Sequence, residues 1–273
     1  MKTNIAASVV KVDARVIANT PVIAQHNVLV CHAPEIAQVA RPGHFVNALT
    51  HGAGTQRKPF SVFQADPDSG RIALLYQVRG ETTQGMAAKR PGDVLDLIGP
   101  LGGRVFGADP EAAVVHVLVG GGYGVPPLVF LAQRLRSARP GCDLRFVLGA
   151  RSKELLLCET DIAGLNIALD IRTEDGTHGA PGRVTDALQE ILTLHGPKTD
   201  LPARVYTCGP TSMMRAVAES CVEAGVPCQV SVAVPMPCGV GDCLECVIDT
   251  TDARRVRACL EGPVFDSRSI TWK

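Results

Sequence analysis

The chain predicts a multidomain β plus α/β protein: a small antiparallel β-barrel, an open parallel α/β sheet, and a short cysteine-rich domain at the C-terminal end. Three observations lead there. Residues 1–108 hold short Val-, Ile- and Leu-rich runs cut by turn residues. Residues 109–227 alternate continuous apolar runs with stretches of helical spacing. Residues 228–273 carry Cys228, Cys238, Cys243, Cys246 and Cys259 out of ten cysteines in the chain.

In the first segment the expected strands are Ser8–Ile17, Val22–Val30, Phe45–Ala48, Arg71–Val78 and Val94–Ile98. Asn19-Thr20-Pro21, Arg41-Pro42-Gly43, Asp66-Pro67-Asp68-Ser69-Gly70 and Arg90-Pro91-Gly92-Asp93 punctuate them as turns. A short helix is expected over Thr83–Lys89. The character changes at Asp109-Pro110. Val114–Val119 is an unbroken apolar run of the kind a strand buried on both faces needs, and Asp143–Leu148, Asn166–Ile171 and Arg204–Thr207 follow as further strands. Helical spacing marks Pro126–Ser137, Val184–Leu194 and Ser212–Ala224.

Composition removes several function classes. Among 273 residues, Lys+Arg and Asp+Glu both number 27, so the net charge is zero. A nucleic-acid surface or a polybasic membrane patch needs a basic excess. Ile5–Val10 is too short for a signal-peptide core, which takes ~7–15 apolar residues. Ala112–Gln133 has spanning length without formal charge, but Gly120, Gly121, Gly122, Gly124, Pro126 and Pro127 interrupt it. The expectation is a cytoplasmic protein without a membrane segment, whose cysteines are thiols or metal ligands rather than disulfides.

Cys238, Cys243, Cys246 and Cys259 are spaced C-x4-C-x2-C-x12-C. The first three match the plant-type [2Fe–2S] pattern, which is completed by a distant fourth cysteine. Two irons share two sulfides, so each needs two thiolates, and a tight loop must present three of the four without crowding the cluster. Gly239 and Gly241 suit such a loop, letting backbone N–H groups point at sulfur. A structural zinc site with four cysteine ligands is the alternative reading of the same residues. Cys228 fits no ligand spacing, while Cys31, Cys142, Cys158 and Cys221 read as small buried hydrophobes.

Val119-Gly120-Gly121-Gly122-Tyr123-Gly124-Val125-Pro126-Pro127 joins a strand to a helix. Glycines let a pyrophosphate approach the backbone, and a helix start supplies N–H groups and a positive dipole end. Pro126 and Pro127 fit the first helical turn. Cys208-Gly209-Pro210 follows another strand, at the carboxyl end where open α/β sheets bind ligands. A tight structural turn and a core thiol are the plainer readings of these two segments.

The order of barrel, Gly-Gly-Gly-Tyr-Gly-Val-Pro-Pro turn and Cys-Gly-Pro resembles the ferredoxin–NADP reductase superfamily. The terminal cysteine pattern, with Cys259-Leu-Glu-Gly-Pro-Val-Phe265 around its last ligand, is similar to the electron-transfer subunits of dihydroorotate dehydrogenase B. The resemblance spans essentially the whole chain. It implies an FAD-binding β-barrel, an NAD-binding α/β domain and a [2Fe–2S] domain. Lys58-Pro59-Phe60-Ser61 matches the family's Arg-Pro-x-Ser flavin motif, with Lys58 at the arginine position, Arg57 just before it, and Ser61 near the isoalloxazine. Leu75, Tyr76 and Gln77 fall in the second flavin segment, Tyr76 being expected to pack on the flavin; Thr82 and Thr83 would donate to its pyrophosphate. Gly99-Pro100-Leu101-Gly102 would close the barrel, and Ser231–Cys238 lacks the acidic residues that the family often carries there.

The implied cofactors are FAD, a [2Fe–2S] cluster and NADH. Arg151, Ser152 and Lys153, after the strand ending at Leu148-Gly149, leave NADPH open. NADH would bind over Gly120–Pro127 and Cys208–Pro210, with Cys208 positioning the nicotinamide rather than acting as a nucleophile. Hydride passes to the flavin and single electrons leave through the cluster. The implied partner is an FMN-containing catalytic subunit interconverting dihydroorotate and orotate in pyrimidine biosynthesis, in a heterotetramer of two plus two subunits. The small subunit of a transhydrogenase or hydrogenase-type complex shares these modules. A zinc-stapled nucleotide-binding regulator is the reading without redox chemistry.

Overall fold

The computed structural model describes residues 9–23, 25–50, 56–107 and 114–272. Ser8, most of the Ile5–Val10 stretch, the Asp109-Pro110 boundary and the start of Ala112–Gln133 lie outside the described residues. Two compact units form. One takes the chain up to Val105 together with Val234–Ile248 and Arg255–Pro263; the other takes Phe106–Ala233, Asp249–Arg254 and the residues from Val264 onward. The cysteine-rich segment 228–273 is thus shared between the two.

The first unit contains β1 (Val10–Ile23), β2 (His26–His32), the short helix α1 (Pro34–Ala37), β3 (Phe45–Leu49), β4 (Lys58–Ser61), β5 (Gln64–Asp66), β6 (Arg71–Gln77), α2 (Glu81–Ala87) and β7 (Val94–Leu101). The strands form one antiparallel sheet in the order β4-β3-β7-β1-β2-β6-β5. The sheet curls, bringing Phe60 of β4 edge-on to Tyr76 of β6 with ring centroids 6.1 Å apart. The segment from Gly99 to Leu101 lies inside β7 and pairs with both β1 and β3.

Asn19-Thr20-Pro21 is not a turn but the continuation of β1, paired with Val28 and its neighbours on β2. The expected strand over 22–30 is therefore the end of β1 plus most of β2. The reason is a long-range contact invisible in local propensity. Asn19 Nδ2 donates to the carbonyls of Met86 (2.8 Å) and Lys89 (3.1 Å) at the end of α2, and its Oδ1 accepts from the Tyr76 hydroxyl at 2.9 Å. Pro21 is accommodated beside a register irregularity between Pro21 and Ile23. The short β4 and β5, and α1, carried no sequence signal of their own.

The second unit contains β8 (Val115–Gly121), α3 (Val125–Ala138), β9 (Leu144–Ala150), α4 (Glu159–Ala163), β10 (Ala168–Thr173), β11 (Ala180–Pro181), α5 (Val184–Leu194), β12 (Ala203–Cys208), α6 (Thr211–Glu223) and β13 (Cys228–Ser231). After β13 the chain forms the paired β14 (Val247–Asp249) and β15 (Arg255–Arg257) and then α7 (Ala258–Glu261), all but Asp249 counted with the first unit, before β16 (Val264–Asp266) returns to the second. The main sheet runs β11-β10-β9-β8-β12-β13-β16, parallel throughout except where β16 pairs antiparallel with β13. β8 is buried along its whole length. Its Val115, Val117 and Val119 pack with Val147, Val184, Leu188, Val205 and Val217 into a core layer between sheet and helices. Cys228–Ser231, expected in the cysteine-rich domain, is thus a strand of this sheet. No helix among the described residues is long and apolar enough to cross a membrane.

Replacing Asn19 by alanine strips α2 of its side-chain anchor and orphans the Tyr76 hydroxyl. At about 1 kcal/mol per lost hydrogen bond, N19A is expected to lower stability by about 2–3 kcal/mol, read as a shifted denaturation midpoint at unchanged slope.

Candidate functional site

In the second unit the strand order changes direction between β8 and β12, with β9 and β10 stacked on one side and β13 on the other. Ligands bind open α/β sheets at such a switch, outside the carboxyl ends of the strands. The structure brings both sequence-predicted segments there, since Cys208 at the end of β12 pairs in register with Gly120 on β8. The glycines divide by what surrounds them. A Cβ on Gly124 would collide with the backbone carbonyl of Cys208, so the two turns touch main chain to main chain. Gly120 is packed against Leu128 and Val125, and Gly121 against the Met213 sulfur. Gly122 alone of the four opens onto free space, and its φ of +54° suits glycine.

The helix that follows departs from expectation. Pro126 and Pro127 fall in the first turn of α3 and carry no N–H, and the Val125 N–H is spent on the Gly122 carbonyl. The helix therefore contributes its dipole more than its amides. Any backbone donors for a phosphate come from the 122–124 turn itself. Gly209 packs on Met213 and on the Gly121 carbonyl, and Pro210 caps α6. Cys208 is buried. Desolvation pushes its thiol up to about 12, outweighing hydrogen bonds from Ser231 and the Gly209 backbone that favour the thiolate. At the end of neighbouring β9, Arg151 and Lys153 are exposed, and the Lys153 N–H is held by Thr177 Oγ1 at 2.9 Å.

In the first unit, β4 presents Lys58 exposed and Pro59, Phe60 and Ser61 half-buried. Arg57, the neighbouring cation, is already committed. Its guanidinium sits 2.7 Å from the buried Asp96 carboxylate and also donates to the Asn47 carbonyl, while Lys11 approaches Asp96 at 3.6 Å. Among the described residues the Lys58 ammonium donates to Gln56, and Lys58 is exposed. Tyr76 does not offer its ring as expected: it is 1% exposed, with its hydroxyl given to Asn19, and the ring beside it that keeps open surface is that of Phe60. Leu75 is buried and Gln77 half-buried on the same strand. At the start of α2, Thr82 is buried and Thr83 half-buried. Thr83 Oγ1 accepts from the N–H groups of Arg79 and Gly80 and donates to the Gly80 carbonyl, so its hydroxyl caps the helix rather than waiting for a phosphate.

The cysteine loop also belongs to the first unit. Cys246 and Cys259 are buried, with sulfurs 3.2 Å apart; Cys238 is half-buried and Cys243 exposed. Metal–thiolate bonds of ~2.3 Å in tetrahedral geometry would set two sulfurs roughly 3.8 Å apart, close to this pair. Burial works against a charged Cys238, but N–H groups of Cys243, Val240 and Asp242 directed at its sulfur prevail and draw the thiol down to about 7. Burial and the neighbouring Cys246 push Cys259 up to about 12, against an N–H from Gly241. Gly239 and Gly241, at φ +69° and +84°, make the turns that aim these amides. Among the described residues no three His, Cys, Asp or Glu side chains meet tightly enough for a single ion. The sulfurs stand in two pairs, Cys238 with Cys243 and Cys246 with Cys259. Two thiolates per iron is what a two-iron cluster asks of its donors, and this set fits it. Sequence reading missed Asn47, Asp96 and Ser231. Asn47 was findable as a polar residue inside an apolar strand.

Comparison with known proteins agrees with this geometry. Residues 235–271 match the model of the iron–sulfur cluster binding domain of dihydroorotate dehydrogenase B, and residues 118–219 that of the oxidoreductase NAD-binding domain. A curated relative from Desulforamulus reducens is 35% identical over 96% of this chain and 98% of its own. One from Geobacillus thermodenitrificans is 36% identical over 86% and 88%. Both bear the name dihydroorotate dehydrogenase B (NAD(+)), electron transfer subunit. An NADH-dependent reduced ferredoxin–NADP oxidoreductase structure, solved for insight into flavin-based electron bifurcation, superposes with a TM-score of 0.79 at 29% identity, covering 96% of this chain and 90% of that one. A ferredoxin–NADP+ reductase from Neisseria gonorrhoeae shares the fold at a TM-score of 0.63 and 16% identity, over 79% and 92% of the two chains.

With its thiol held near 12, Cys208 is about one part in ten thousand thiolate at pH 8. Peptide mapping after iodoacetamide treatment of the native protein at that pH is expected to find Cys208 unmodified. Labelling should appear only after unfolding.

Proposed function

The chain belongs to the electron transfer subunits of the dihydroorotate dehydrogenase B family, and we propose that it draws electrons from NADH and delivers them one at a time to an FMN-containing catalytic subunit. When bound, FAD would accept one hydride, two electrons with a proton, from the nicotinamide, give up the proton and pass the two electrons on singly, as a [2Fe–2S] cluster can carry them. The single observation that carries the reading is the cysteine loop, whose sulfurs stand in two pairs and receive backbone N–H groups.

Each segment of this chain then has a task of holding or orienting. The 122–124 turn and Cys208–Pro210 take the pyrophosphate and nicotinamide of NADH at the β8–β12 switch point. Gly122 gives the phosphate room, and Gly124 lets the two turns close on each other. Cys208, buried and neutral, presents a small polarisable surface and does no acid–base or covalent work. Lys58 offers a point charge to a flavin phosphate, Phe60 an aromatic edge, and Ser61 a hydroxyl beside the ring system. The amides at the start of α2 take the pyrophosphate, with Thr83 keeping that turn in shape. The partner is a catalytic subunit of the dihydroorotate dehydrogenase type, in an assembly of two plus two subunits working in pyrimidine biosynthesis in the cytoplasm. Exposed Arg151 and Lys153 lie where a 2′-phosphate would be met, so activity with NADPH is to be measured beside NADH.

The test is purification of the chain with a co-expressed FMN subunit, followed by metal analysis and NADH-dependent assays. Iron and acid-labile sulfide at about two each per chain are expected; one zinc and no visible absorbance would refute the reading. C243S is expected to abolish cluster absorbance and transfer to the partner while NADH still reduces the flavin. G122V, which fills the open face of the turn, is expected to raise the nicotinamide KM about tenfold or more with a smaller change in kcat.

A further inference from the structure

β3 reads Phe45-Val46-Asn47-Ala48-Leu49, and Asn47 in its middle has no exposed surface. A primary amide in such a place is costly unless its hydrogen bonds are made. Here the two N–H bonds of Asn47 Nδ2 go to the carbonyls of Met236 (3.2 Å) and Pro237 (3.0 Å), the two residues just before Cys238. A carbonyl only accepts, so these partners fix which way the amide faces. The segment they belong to needs a donor. Residues 232–236 form no regular structure, and Pro235 and Pro237 have no N–H to enter a ladder. Asn47 Oδ1, by contrast, is buried with no partner among the described residues, so the hydrogen bonds of this side chain are those of its nitrogen.

The same residue meets the loop on the far side of Cys238. A Cβ on Gly239 would lie 2.8 Å from Asn47 Nδ2 and 2.6 Å from Leu101 Cδ1, so the chain folds down onto Asn47 directly after the cysteine. Asn47 also stands opposite Pro59 in the β3–β4 register, and its backbone carbonyl accepts from Arg57 at 3.3 Å. One buried residue therefore meets the backbone before and after Cys238 through its side chain and the strand that carries Lys58–Ser61 through its main chain.

We propose that Asn47 is the positioning residue of the cysteine loop, registering Cys238 against the strand pair that carries the flavin motif. The proposal rests on the reading of Cys238 as a cluster ligand. Releasing Cys238 from this clamp loosens the amide-to-sulfur hydrogen bonds around it, and fewer such bonds mean a lower reduction potential. Asn47→Leu keeps the volume and removes both donors. In reconstituted full-length protein, N47L is expected to lose iron to a chelator about tenfold faster than wild type, as two lost hydrogen bonds warrant. Its cluster is expected to titrate at a lower potential with an altered electron paramagnetic resonance signal, while flavin absorbance per chain is retained. Unchanged iron release, potential and spectrum would overturn the proposal, and so would loss of flavin in step with the cluster, which marks a general scaffold residue. Should N47L fail to fold, Gly239→Ala presses on the same contact from the loop side and must give the same cluster-only signature. A wild-type chain that takes up no cluster overturns the functional reading itself; a loaded wild type indistinguishable from the variants overturns this proposal alone.

Discussion

Thiolates repel one another, and no cysteine can hold its own backbone still. A set of four sulfurs is useful only if something outside them fixes where they stand. Here that is done with main-chain and amide hydrogen bonds rather than with bulk. N–H groups of Val240, Asp242 and Cys243 point at Cys238, and one from Gly241 points at Cys259. Cys246 is tied through its carbonyl to the Ala258 N–H at 3.0 Å, which brings Cys246 and Cys259 together in a buried pair. The loop lacks enough apolar mass for a core of its own, so it borrows the curled sheet as its floor.

At the switch point of the parallel sheet the same economy applies to space. Gly124 is needed because two stretches of main chain meet there, and Gly122 because nothing does. A side chain at the first would push the turns apart; at the second it would fill open space. The prolines of α3 sharpen the division of labour. They remove N–H groups from the helix start, so the amides near it belong to the turn. Cys208 beside them is buried and un-ionised.

Much of this was legible in the sequence because it depends on local pattern. The apolar runs that became β8, β9 and β12 lie buried between layers and had to be continuous. The spacing of Cys238, Cys243, Cys246 and Cys259 is set by cluster chemistry and so survives as a motif. What escaped depends on partners far away in the chain. Asn19 reads as a turn residue until α2 supplies the carbonyls that hold it in a strand. Arg57 and Lys58 look interchangeable until Asp96, inside β7, claims the first. Tyr76 reads as a ring for a ligand until Asn19 takes its hydroxyl. Strands of three or four residues, such as β4 and β5, have too few positions to show alternation at all.

The bonds from Asn47 to Met236 and Pro237 join residues 189 and 190 positions apart. On a ribosome, the sheet strands from β1 to β7 emerge first, and the whole parallel sheet through β13 follows before the loop that seats on Asn47 exists. Until then the donors of Asn47 have none of their carbonyl partners in the chain, and the cysteines are among the last features to be placed. Metal insertion is accordingly a finishing step on a scaffold already built.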